Sequence, residues 1–203
     1  MAYATVAELA AHLGLSDAIT PSGQMVDATR NARYQLALDT ASAMVDQDTG
    51  RVFTSTVATK NLTSNGGARL LIPDLVSATT VKADDDGDGF YETTIAASGY
   101  ELGSFNETHA GWPYQWLTRL DDTWPTPDFA GRTKLVQIAG TWGWASVPSA
   151  IKQATLLMAA RQVARGNASL GVQGVSDFGP FSIRNTDPDY VALIAPYKVI
   201  GVM

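Results

Sequence analysis

The sequence predicts an α+β fold: a small helical bundle built from both ends of the chain, with an inserted antiparallel β module, a small sandwich or barrel. Three observations carry this reading. Residues 1–50 are Ala-rich and helical in pattern, and helical texture returns after residue 146. The stretch between mixes β-branched and aromatic residues with Gly, Asp and Pro turns at close intervals. All five tryptophans (Trp112, Trp116, Trp124, Trp142, Trp144) fall in that stretch. The expected domains are therefore 1–50 plus 146–203, and 51–145, with both junctions at helix ends, where insertions are best tolerated.

Thr5-Val6-Ala7-Glu8 is a capping box, since the Thr5 hydroxyl can accept the Glu8 amide while the Glu8 carboxylate reaches back. It opens a short helix that should stop near Gly14. A second helix is predicted from about Met25 to Thr49, with Tyr34, Leu38, Ala41 and Val45 as its buried stripe, Ala37 and Met44 flanking it, and Gly50 ending it. Strand texture begins at Val52. Arg69 to Pro73 is a short apolar run ended by proline, and Thr79–Lys82 with Phe90–Ile95 flanks a Gly/Asp tip as a hairpin. Further strands are expected at Trp116–Leu120 and Thr133–Trp144. Val147-Pro148-Ser149 starts a helix to about Arg165 that Gly166 should end. Ile151, Ala154, Leu157, Met158 and Ala160 make it apolar on most sides, as a central helix would be. Residues 166–186 read as an extended or mobile segment. Asp187-Pro188 opens a last short helix, which Pro196 breaks before an apolar tail.

Composition narrows the function. With 45% hydrophobic residues in 203, the chain can build a real core. Fourteen basic against 20 acidic residues give a net charge of −6. No Lys/Arg cluster stands out in the sequence, which argues against gripping a phosphate backbone. The absence of cysteine removes disulfides, thiolate metal sites and Cys nucleophiles. No apolar run is long enough to span a membrane, and Met1–Leu13 has neither part of a signal peptide, so a protein made and kept in a cytosol, or leaving it by a route other than secretion, is expected.

Candidate chemistry is sparse. Asp84, Asp86 and Asp88 stand at the first, third and fifth positions of a calcium-loop pattern, with Gly89 at the sixth. The twelfth position, which should be glutamate, is Ile95, and strand rather than helix follows. A solvated hairpin tip explains the same residues, and an ion here would be a clamp. Asp177-Phe178-Gly179 has no accompanying phosphate loop, and neither His12 nor His109 has a nucleophile neighbourhood. Asp121, Asp122 and Asp128 are the only carboxylates that suggest a hydrolase, and they sit in a Pro-rich turn. The tryptophans suit a sugar or base platform, or equally a core. Arg30, Arg33, Lys152, Arg161 and Arg165 can share one polar face, either solvated or salt-bridged to another subunit.

Four segments in order carry a resemblance: Tyr3-Ala4-Thr5-Val6-Ala7-Glu8-Leu9; Leu38 to Phe53 with its Thr49-Gly50-Arg51; Leu71-Ile72-Pro73-Asp74-Leu75 followed by Asp86 to Glu92; and Gly140-Thr141-Trp142-Gly143-Trp144 with Val147-Pro148, Ile151 and Ala159-Ala160-Arg161. In this arrangement the chain resembles the head–tail connector (adaptor, head-completion) proteins of long-tailed bacteriophages. The resemblance implies a structural virion protein without enzymatic activity. Such proteins form a ring, usually a dodecamer, beneath the portal; the ring extends the DNA channel, helps retain the genome and docks the next neck or tail component. It places the β insertion at the ring periphery or against a neighbouring subunit. No cofactor is implied, calcium at Asp84–Asp88 aside. Tyr190, Leu193, Ile194, Tyr197, Val199 and Ile200 are the candidate partner-binding residues, because an apolar terminal segment must pack on a partner or on its home domain. The alternative reading is a β module that binds calcium or carbohydrate, carried on a helical scaffold.

Overall fold

The computed structural model describes residues 2–15, 27–105, 111–127, 132–167 and 187–199. The chain divides into two compact units, Met1–Arg51 with Val147–Met203, and Val52–Ser146. The fold is α+β.

The helical unit contains α1 (Val6–His12), α2 (Ala28–Thr49), α3 (Ser149–Asn167) and α4 (Pro188–Ile194). The capping box forms: Thr5 Oγ1 accepts from the Glu8 amide at 3.2 Å, and Glu8 Oε2 accepts from the Thr5 amide at 2.8 Å. Asp27 caps α2 by accepting from the amides of Thr29 and Arg30. Gly50 ends α2 at φ 68°, a left-handed conformation that glycine adopts without the Cβ penalty. Tyr34, Ala37, Leu38, Ala41 and Val45 are buried along α2, and Met44 is half-buried. α3 packs against α1, α2 and α4 and is the central helix. It continues through Gly166 to Asn167, because one glycine in a last turn weakens a helix without breaking its ladder. Leu9, Leu38, Ala41, Leu156, Ala159 and Val163 meet in the core. α4 starts as predicted, with Asp187 accepting from the Asp189 amide and Pro188 in the first turn. A 3₁₀ turn over Ala195–Tyr197 follows at Pro196.

The β unit is one sheet of six strands: β1 (Thr56–Leu62), β2 (Arg69–Ala83), β3 (Thr93–Ile95), β4 (Tyr100–Gly103), β5 (Tyr114–Arg119) and β6 (Val136–Trp142). All pairings are antiparallel, in the order β1-β6-β2-β5-β4 with β3 on the far end of β2. Among the described residues the sheet stays open, which corrects the expected sandwich or barrel. The reason is β2. This strand of 15 residues serves β6 along one edge and, along the other, β5 in its first half and β3 at its end. Pro73 was expected to end a short strand here, yet β2 runs through it. The register to β5 shifts between Leu71 and Leu75, so the residue without an amide donor falls in the irregularity.

Val136, Ile138, Gly140 and Trp142 alternate inward along β6, and with Leu70, Leu75, Val81, Leu117 and Trp124 they line the core. Gly140 has no room for a side chain, since a Cβ there would lie 2.3 Å from the Ser77 carbonyl oxygen. The stretch before β1 is irregular up to Ser55, and β4 alternates Tyr100 and Leu102 against the core with exposed Glu101, but over only four residues, too few for the pattern to stand out in the sequence.

Two substitutions test these cores. Leu38→Ala should cost roughly 2–5 kcal/mol of unfolding free energy by leaving a cavity under α3, read from the helical circular dichroism signal in a denaturant titration. Gly140→Ala should cost about 3 kcal/mol, because the obstacle is backbone of the adjacent strand, and tryptophan fluorescence reports it.

Candidate assembly surface and acidic loop

The Asp/Gly run lies just past the end of β2. Asp84 is fully buried, and its carboxylate is occupied by its own loop: Oδ1 accepts from the Gly87 amide at 2.7 Å and Oδ2 from the Gly89 amide at 2.9 Å. Asp86 and Asp88 accept from the amides of Asp88 and Phe90. Gly87 and Gly89 sit at φ 78° and 99°, which non-glycine residues rarely adopt. The Arg132 guanidinium lies against Gly89 so closely that a Cβ would come within 1.5 Å of Nη1. As a cation site, the loop brings one carboxylate oxygen each from Asp84, Asp86, Asp88 and Glu92 within 4.8 Å of one another. Glu92, at the ninth position counted from Asp84, supplies the fourth carboxylate in place of the missing glutamate at the twelfth. This oxygen-only set suits a hard divalent ion, which would clamp the hairpin.

The C-terminal candidates separate on folding. Tyr190 and Ile194 are buried within the helical unit, and the Tyr190 hydroxyl donates to Asp48 at 2.7 Å. Burial first and the Asp48 carboxylate second raise the Tyr190 pKa well above the ordinary phenol value. Leu193 and Tyr197 are half-buried and Val199 is exposed, while Ile200 lies outside the described residues. The tail is tied to the end of α2: the Val199 amide donates to the Thr49 carbonyl at 2.9 Å, and Arg51 Nε donates to the Tyr197 carbonyl at 2.8 Å. The N-terminus is tied to the same helix, with the Tyr3 amide donating to Ser42 Oγ at 3.0 Å and its hydroxyl to Asp46.

The other candidates resolve individually. Trp124, Trp142 and Trp144 are at most 2% exposed. The Trp142 indole donates to the Ala58 carbonyl and the Trp144 indole to Asp74, so these rings are core and offer no stacking face. Trp116 is half-buried, with the Arg69 guanidinium 4.8 Å from its centroid and Phe105 edge-on at 4.7 Å. Asp122 pairs with Arg119 at 3.2 Å on the surface. Asp128, His109 and Asp177-Phe178-Gly179 lie outside the described residues. Of the basic residues on the helices, Lys152 pairs with Glu8 at 2.8 Å, and Arg33 Nη2 donates to the Val163 carbonyl at 3.2 Å, which joins the start of α2 to the end of α3.

No protein-family model and no curated protein matches the chain. Solved structures do. The chain is similar to one described as the neck of an empty gene transfer agent (GTA) particle with C6 symmetry, at TM-score 0.57 and 23% identity, covering 99% of this chain and 92% of that one. It is similar to the neck of a native GTA particle with C12 symmetry, at TM-score 0.52 and 22% identity over 98% and 90% of the two chains. A third match is a chain of the virion of the native particle, at TM-score 0.54 and 21% identity over 99% and 92%. The chain shares the fold of these proteins almost from end to end.

Two measurements follow from the site. Asp84→Ala should destabilise the β unit by about 2–3 kcal/mol, because two loop amides lose their acceptor, whereas Asp85→Ala should be near neutral. The second is a pH titration of stability. The hydrogen bond from Lys152 holds the Glu8 carboxyl below its usual value against the opposing effect of burial. A depressed folded-state pKa gives stability that is present above the unfolded value and lost as pH falls through the folded one. Burial raises Asp46 despite the Tyr3 hydrogen bond, so protonation there favours the folded state as pH falls. Glu8→Gln should therefore flatten the acid loss of stability, and Asp46→Asn should steepen it.

Proposed function

We propose that the chain is a structural neck protein of a virion and no enzyme: an adaptor subunit that forms a ring under the portal. The observation that carries this is the near full-length match to chains in particle necks of cyclic symmetry, C6 and C12. The ring is dodecameric in this reading, extends the DNA channel, helps retain the packaged genome and docks the next neck or tail protein. It assembles in the host cytoplasm. A net charge of −6 suits a channel that DNA must slide through without being gripped. The exposed Val199 and half-buried Leu193 and Tyr197 are the C-terminal residues left for the portal, since Tyr190 and Ile194 serve their own unit.

The acidic loop supports a second role that is compatible with the first, a calcium-clamped hairpin at Asp84, Asp86, Asp88 and Glu92. A carbohydrate-binding role has little support, because Trp124, Trp142 and Trp144 are buried and the half-buried Trp112 and Trp116 each pack against another aromatic ring. Electron microscopy of the protein mixed with its portal should show a coaxial ring, and a chain that never associates with the portal would overturn the proposal. Calorimetry with an oligosaccharide panel should give no binding heat.

A further inference from the structure

The helical unit gathers arginines that are scattered along the sequence. Arg30 and Arg33 lie in the first two turns of α2, and Arg161 and Arg165 in the last two turns of α3. The hydrogen bond from Arg33 to Val163 brings these turns together. Arg30, Arg33 and Arg165 are exposed, and among the described residues none of the three pairs with a carboxylate. α3 contains no acidic residue at all, and the first half of α2 has none before Asp39. Helix stability explains part of the pattern, since Arg161 and Arg165 complement the C-terminal end of the α3 dipole. It does not explain Arg30, three residues past the Asp27 cap, where the dipole favours an acidic side chain.

The complement to this surface is in the same sequence. Acids outnumber bases eleven to six between residues 52 and 146, so the β unit carries most of the net charge of −6. Its exposed acids concentrate at the loop, in Asp85, Asp86, Asp88 and Glu92. A ring requires a heterologous contact in which each copy offers one patch and accepts a different one. An arginine surface on one unit and an acidic loop on the other meet that requirement.

We propose that the arginine surface of Arg30, Arg33 and Arg165 receives the acidic loop Asp85–Glu92 of the next copy, as the head-to-tail contact of the ring. This rests on the ring reading and names the surfaces that it uses. Charge pairs of this kind set register and partner choice more than bulk affinity. The contact should weaken as salt rises toward about 1 M, where the screening length shrinks to about 3 Å.

Charge exchange tests it. Arg30→Glu/Arg165→Glu puts acid opposite acid, and Asp85→Lys/Glu92→Lys puts base opposite base; because Glu92 also belongs to the candidate cation set, all assays are run in EDTA, so that loss of a bound ion cannot account for a difference between variants. Each double variant alone should lose assembly, alone or on the portal, with self-association weakened on the order of 100-fold in sedimentation velocity. An equimolar mixture should recover it, because each reversed patch then meets a reversed partner and an even-numbered ring closes by alternation. Recovery in the mixture also shows that both variants fold. If the wild type forms rings and either variant assembles like it, or if the mixture fails to recover, this contact is wrong and the ring reading survives. If the wild type assembles under no condition, both readings fall. Salt-sensitive binding of a short DNA duplex, lost in Arg30→Glu/Arg165→Glu while assembly is unchanged, would overturn the proposal in favour of a phosphate-binding surface.

Discussion

The packing of α3 against α1 and α2 is the constraint on which the helical unit depends. α1 is seven residues long and could not persist alone, because helices that short have too few hydrogen bonds to offset nucleation. Leu9 on α1 and Leu38 and Ala41 on α2 reach zero exposure only with Ala159 and its neighbours of α3 in place. Small residues at Ala37, Ala41 and Ala159 keep side-chain bulk out of this core. Segments more than a hundred residues apart thus complete one apolar interior, and an insertion between them is tolerated because the helices on either side are already specified.

The β unit depends on an equivalent element, the long strand β2. Its two edges organise the sheet, and its irregularities at Pro73 and before Thr80 let one continuous strand change partners. The tryptophans then serve this core through their polar edges. Trp142 and Trp144 each satisfy the indole N–H on a nearby acceptor, while the buried Trp124 indole nitrogen has no partner among the described residues, and Arg119 stacks 5.9 Å from its ring. A buried unpaired donor costs about 1–3 kcal/mol, which burial of a large aromatic surface offsets.

Both chain ends converge on the second half of α2. Tyr3 and Tyr190 direct their hydroxyls to Asp46 and Asp48, the Val199 amide donates to the Thr49 carbonyl at the helix end, and the Tyr197 carbonyl accepts from Arg51 just past it.

What the sequence alone determined is local. The capping box at Thr5, the α2 stripe, Gly50, the Asp187-Pro188 start and the alternation along β6 are set by contacts within a few residues, which spacing and residue type disclose. Three things were decided only by tertiary structure. The sheet is open because pairing partners are chosen across the chain, and no single strand records that choice. Glu92 stands at the ninth position from Asp84, a ligand position, but only the folded loop brings its carboxylate oxygen within 4.8 Å of those of Asp84, Asp86 and Asp88. The helical spacings allow the basic residues one polar face, but only the packing of α2 against α3 brings the two arginine pairs to neighbouring helix ends, where Arg33 donates to the Val163 carbonyl.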